Sequence, residues 1–221
     1  MTSLITATKI FEKDLGLSET TSRLLAGAYQ LVGPIGGVFS VLTIEAFGRR
    51  KLMMLSATGN TTCLALVASL GSQATNASLA HAAVFFLFLF HFSYIIGFGG
   101  IPYLYATEVA PLHLRTTINS FSISISWAFS ILIANVTPIA FDKMGQKYFF
   151  IFAAFNASIV PFVYFLFPET SGRELEEIDE IFTISKGPLD VVKQAKTLPK
   201  RDLNVESVQE KFKSDLPSTP V

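Results

Sequence analysis

Between Lys51 and Glu108 the chain has no Asp, Glu, Lys or Arg, a gap of 56 residues. A water-soluble domain carries charge on its outer face every few residues, so a gap this long belongs in lipid. The chain as a whole is not short of charge. It has 17 basic and 17 acidic residues, and 18 of these fall within residues 171–221. Because the signs balance, nothing calls for nucleic acid or another polyanion as partner. At about 20 residues per helical crossing plus loops, 221 residues hold five or six crossings and not twelve.

Five apolar segments fit such crossings, so the expected fold is an all-α integral membrane bundle. The first runs from about Leu24 to Ile44 and is rich in small residues, including Gly33, Gly36 and Gly37. Gly33 and Gly37 have the small-xxx-small spacing that lets helix backbones approach closely in lipid, and Pro34 bends the helix. The second covers about 52–71 and the third about 82–105, with an apolar run from Val84 to Phe90. The end of the third is different, because Gly97, Gly99, Gly100 and Pro102 together free backbone polar groups. At membrane depth that is tolerated only beside protein or a wet cavity. The fourth, about 118–140, is rich in Ser and carries Trp127, the sole Trp; the fifth, about 148–167, stops at Pro168. Residues 183–221 mix Pro with Lys, Glu, Asp and Ser and read as a flexible tail without a packed helix.

The chemistry of an enzyme or a metalloprotein is not in view. Cys63 is the single cysteine, and His81, His91 and His113 are not spaced as a ligand set. No nucleophile–base pair lies in or beside the spans, and no metal or cofactor is expected. Lys9, Glu12, Lys13 and Asp14 stand where a secretory leader would have its apolar core, so no cleaved leader is expected.

The informative constellation lies at the helix ends. With five crossings, the turns at 45–51 and 106–116 and the C-terminal segment share one membrane face. Acid and base recur in all three: Glu45, Arg49 and Arg50; Glu108 and Arg115; Glu169 and Arg173. Carboxylate–guanidinium pairs between helix ends are directional and suit a latch that forms in one conformation and breaks in another. The alternative is that these charges only fix the helices at the interface. Basic residues flanking the spans are nearly tied between the two sides, so the positive-inside rule does not orient the chain.

Four motifs resemble the sugar porters of the major facilitator superfamily, most closely their fungal members. They are Gly48-Arg49-Arg50, the stretch Gly97 to Tyr103, the loop Glu108 to Arg115, and Pro168-Glu169-Thr170-Ser171-Gly172-Arg173 followed by Leu175-Glu176-Glu177-Ile178. The family's last motif usually has Lys where Ser171 stands, and its first usually has Arg where Ala46 stands. In order and spacing the resemblance covers about residues 8–182. It implies the second six-helix half of a twelve-helix carrier: residues 1–21 as a remnant of the seventh helix and its outer loop, 22–182 as five complete helices, and 183–221 as a cytoplasmic tail. The resemblance places the three charged turns in the cytoplasm and the carrier in the plasma membrane. It implies movement of a sugar or polyol by alternating access, with the lipid bilayer and a missing N-terminal six-helix half as partners. The chain alone is then expected not to transport. A non-transporting sugar sensor or regulatory membrane protein is the alternative.

For the solute site, the resemblance puts Trp127 at the family's tryptophan of the eleventh helix and Ser126 and Ser130 at neighbouring Asn positions. Tyr103 takes the place of an aromatic in the tenth helix, and Gln30 substitutes in the eighth for an Asn that falls near Gly33. Sugars are recognised by hydrogen bonds to hydroxyls and by aromatic faces against C–H faces. The competing roles are lipid-interface anchoring for Trp127 and ordinary helix packing for Tyr103.

Overall fold

A computed structural model describes residues 18–72, 77–111, 113–173, 175–185 and 187–197. The expected remnant of the seventh helix before residue 18 and the chain beyond 197 lie outside the described residues.

The described chain is helical. Ser18 caps α1 (Glu19–Phe47), its hydroxyl accepting from the Thr21 N–H at 3.3 Å. Gly48, at φ 84, ends α1, and α2 (Arg49–Ser72) begins at the next residue. Next come α3 (Ala77–Tyr94), a π-helical turn (Ile95–Gly99) and α4 (Ile101–Val109). Then α5 (Arg115–Met144) and α6 (Tyr148–Leu166) are joined by a 3-10 turn at Gly145–Lys147. Two short helices follow, α7 (Leu175–Ile184) and α8 (Pro188–Thr197). Among the described residues, five helical segments are long and apolar enough to cross a membrane: Glu19–Phe47, Arg49–Ser72, His81–Val109, Arg115–Met144 and Tyr148–Leu166. Most run a few residues past the apolar segments of the sequence, because polar ends such as Glu19, Arg49 and Arg115 extend the helix into the interface.

Burial does not follow hydropathy. Half of the α2 span is buried although its mean hydropathy, 1.3, is below that of the other four. Without water to expel, close approach and hydrogen bonding decide which helix sits in the middle, and α2 offers small and polar residues for both. The Ser56 hydroxyl donates to the Ser93 carbonyl at 2.5 Å, and a Cβ on Gly97 would overlap Ser56 and come within 2.9 Å of the Leu52 carbonyl. On its other side α2 packs against α6, with Leu64, Phe149 and Ala153 in one buried cluster and Met53 and Val163 in a second. Asn60 is fully buried in α2 with neither amide atom hydrogen-bonded among the described residues, a desolvation cost of about 1–3 kcal/mol.

Two local expectations change. The close approach of α1 uses Gly33 and Gly36, not Gly37. Ile95 lies 3.8 Å from a Cβ built on Gly33 and 3.1 Å from one on Gly36, whereas Gly37 has nothing within 4 Å. The contact therefore follows an i, i+3 row rather than i, i+4. The freed backbone expected at the glycine-rich end of the third span takes the form of a π turn and a break at Gly100. Ser40 of α1 donates to the Ile96 carbonyl there at 2.9 Å.

The second change concerns the region after residue 183, which holds a helix over Pro188–Thr197 rather than a flexible tail. Pro188 opens α8 and Lys196 lies in its last turn, matching the helix dipole. Val191 and Val192 are buried, and the helix lies against α6 and α7. Two adjacent valines give no long apolar period in sequence; they bury only because a surface is there to receive them.

Candidate functional site

The charged turns of the sequence meet at one end of the bundle. Arg49, first residue of α2, directs its guanidinium at Glu108 near the end of α4: Nη2 and Nε lie 3.0 and 3.2 Å from the same carboxylate oxygen, Oε1. The other oxygen accepts from the Thr170 hydroxyl at 2.6 Å. Glu169 takes the backbone N–H of Arg49 at 3.0 Å and that of Ser171 at 3.3 Å. Three separate turns are thus joined through two carboxylates. The Arg49 and Glu108 side chains are only 17% and 15% exposed, so water screens the pair weakly.

Gly48 makes this arrangement possible. A Cβ there would stand 2.8 Å from the Glu169 carboxylate, and its φ of 84 is one that L side chains rarely adopt. Beside it Arg50 donates from Nη2 to the Tyr164 carbonyl and lies 5.0 Å from the centre of that ring. Arg173 pairs with Glu177 at 3.7 Å and donates to the Ala195 carbonyl in the last turn of α8 at 2.7 Å. Of the expected latch residues, Arg49, Glu108 and Glu169 come together, with Arg50 and Arg173 on the flanks. Glu45 is exposed, and neither it nor Arg115 makes an ion pair among the described residues. Sequence reasoning missed Gly48 and Thr170 as parts of the latch, although both lie within the motifs that carry it.

A cleft of about 770 Å³ opens between the broken α3–α4 segment and α5. Tyr94, Phe98 and Tyr103 line one wall, and Ser122, Ser126 and Ser130 line the other. Tyr105 and Phe167 also line it, stacked with ring centres 4.8 Å apart. The Tyr105 hydroxyl donates to the Pro168 carbonyl at 3.2 Å, next to Glu169. Cleft and latch therefore share α4 and the start of the 168–173 turn. The π turn and Pro102 adjoin the cleft, so the irregular backbone lies beside a cavity, as lipid requires.

The expected solute residues divide. Tyr103, Ser126 and Ser130 meet in the cleft. Trp127 is 66% exposed and is not part of its wall, and Gln30 lies on α1 away from it. Ser122, one turn before Ser126, belongs to the wall and was not singled out from the sequence; the four-residue serine spacing was the available signal.

Residues 1–182 match the family described as Sugar (and other) transporter. The chain belongs to that family. Similar relatives of this sugar transporter family member are fungal. MFS-type transporter oryC of Aspergillus oryzae is 34% identical over 76% of the chain and 32% of its own length. Sugar transporter STL1 of Saccharomyces cerevisiae is 32% identical over 80% of the chain and 31% of its own length. Quinate permease of Emericella nidulans is 30% identical over 77% of the chain and 34% of its own length. The chain therefore spans about a third of the length of these relatives. A solved structure of a double-Trp mutant of XylE superposes with TM-score 0.72 at 18% identity, over 80% of this chain and 38% of that one. The sugar transporter fold and a multi-pass membrane protein follow from these matches and the five apolar helices.

Proposed function

We propose that this chain supplies one bundle of an alternating-access carrier for a sugar or polyol, with the cleft between α4 and α5 as part of the solute path. The supporting observation is the shared architecture of cleft and latch. Tyr103 faces the cleft and Glu108 joins the latch, and both lie on the nine-residue helix α4. Solute that draws α4 towards α5 shifts Glu108 relative to Arg49 and Thr170, and a shift at the latch reaches the cleft by the same route. The latch closes one face while the Arg49–Glu108 pair is made; breaking it lets the bundle rock. The proposed setting is the plasma membrane, with the latch and the C-terminal segment in the cytoplasm. Because rocking needs two bundles, the chain pairs with a six-helix first half.

Reconstitution tests this reading. Proteoliposomes holding the purified chain alone should show no saturable uptake of labelled hexose or sorbitol. Uptake should appear when the six-helix first half of a fungal sugar porter is co-reconstituted. Transport by the chain alone, or none with several such halves, contradicts the proposal.

A further inference from the structure

At the latch end of the bundle two cations converge on one aromatic ring. Tyr164 lies in the last turn of α6 and is about half exposed. The Arg50 guanidinium carbon is 5.0 Å from the centre of its ring, and the Lys196 ammonium of α8 is 6.0 Å from it. The ring face offsets part of each charge but not the repulsion between them.

No acid answers this pair. The carboxylates of this corner are engaged elsewhere: Glu108 by Arg49, Glu169 by two backbone N–H groups, and Glu177 by Arg173. Asp190, the acid of α8, stands in its first turn, whereas Lys196 stands in its last. Arg50 and Lys196 make no ion pair among the described residues. Arg50 is nevertheless buried, 8% exposed. Its Nη2 is spent on the Tyr164 carbonyl, its Nε is buried without an acceptor, and its Nη1 makes no hydrogen bond among the described residues. A guanidinium this far out of water calls for an anion, and carboxylate or phosphate fits its fork.

The level of this corner selects the anion. Arg50 is the second residue of the Arg49–Ser72 span and Tyr164 is near the end of the Tyr148–Leu166 span, so both stand where helices leave hydrocarbon for headgroups. Phe165, exposed beside them, sets its ring edge-on to Tyr164 with centres 5.1 Å apart, an apolar surface for an acyl chain. We propose that Arg50, Lys196 and Tyr164 bind the headgroup phosphate of an anionic phospholipid. Arg50 gives a directional donor through Nη1, Lys196 a point charge on a flexible stem, and Tyr164 the platform between them. Docking of α8 through Val191 and Val192 completes the site by bringing Lys196 to the ring. The match to the transporter family ends at residue 182, before α8 begins. None of the three residues lines the cleft, so the inference stands apart from the solute path.

Native mass spectrometry of the full chain tests the site, with phosphatidylglycerol or phosphatidylcholine titrated into the detergent micelles and the bound lipids counted. Phosphatidylcholine has the same phosphate but carries its own cation. One phosphatidylglycerol should bind about ten-fold more tightly than phosphatidylcholine, and Arg50→Gln and Lys196→Gln should each weaken it about five-fold, the weight of one basic residue beside an anionic surface. Arg50→Lys keeps the charge without the fork and should weaken it less than Arg50→Gln. Lys143→Gln, at the opposite end of α5, should change nothing. Glycerophosphoglycerol, the headgroup without acyl chains, should not displace the lipid. Equal affinity for the two lipids overturns the proposal, as does the same loss in Lys143→Gln as in Lys196→Gln. Unchanged affinity in Lys196→Gln also overturns it, and that exposed side chain can be replaced without disturbing the fold. Displacement by glycerophosphoglycerol would assign the corner to a soluble phosphate and overturn the lipid.

Discussion

Glu108 shows how much one side chain can hold in place. One oxygen receives two donors from Arg49, the other receives the Thr170 hydroxyl, and the group is mostly shielded from water. Glu108→Gln keeps the shape but removes the charge and turns one acceptor into a donor aimed at Arg49 or Thr170. The substitution should cost about 1.5–3 kcal/mol at the latch, the range of a charge-assisted hydrogen bond. Hydrogen exchange should quicken at the Arg49 amide, and unchanged exchange there would refute the coupling. The residue types of this latch were readable from sequence, since acid and base stood together at three helix ends. Which of them pair was not. Glu45 and Glu108 have the same chemistry, yet only Glu108 meets Arg49, because partner choice depends on how the helices lie side by side. Gly48 illustrates the same limit: its need for a positive φ and for space beside Glu169 exists only after α1, α2 and the 168–173 turn have met.

At the level of elements, the apolar segments were legible because lipid imposes a length and excludes charge, and all five became helices. The break before Pro102 was legible for the same reason. What escaped the sequence was α8, a ten-residue helix whose two buried valines matter only against α6 and α7. Its position ties it to the latch. Arg173 ends the 168–173 turn and donates to the Ala195 carbonyl, and Lys196 lies 6.0 Å from the centre of the Tyr164 ring that also receives Arg50. Replacing Val191 and Val192 together by Asp puts two charges in a buried face, where the loss of hydration is costly. The helix should undock: exchange protection should fall across 188–197 and at Arg173, with the five spans still folded by circular dichroism. Protection unchanged at Arg173 would show that the turn holds without α8.

The whole molecule is lopsided, and α5 is where this shows. Its span buries no residue, against half of the α2 span, and Phe121, Trp127, Phe129 and Ile131 are all well exposed. In lipid an exposed apolar helix is stable, so exposure alone does not say whether this side faces hydrocarbon or a second bundle. The chain spans about a third of its relatives' length, and the proposed carrier needs the second bundle. Trp127 can decide between the two because it is the only Trp and lies mid-helix on the open side. In vesicles containing brominated lipid, the fluorescence of the chain alone should be strongly quenched. Co-reconstitution with a first half that carries no Trp should lower that quenching at least two-fold, as the tryptophan passes from hydrocarbon to the interface between bundles. Persistent quenching in a complex that transports would place Trp127 against lipid rather than at the interface between bundles, leaving Tyr103, Ser126 and Ser130 as the expected solute residues that line the cleft.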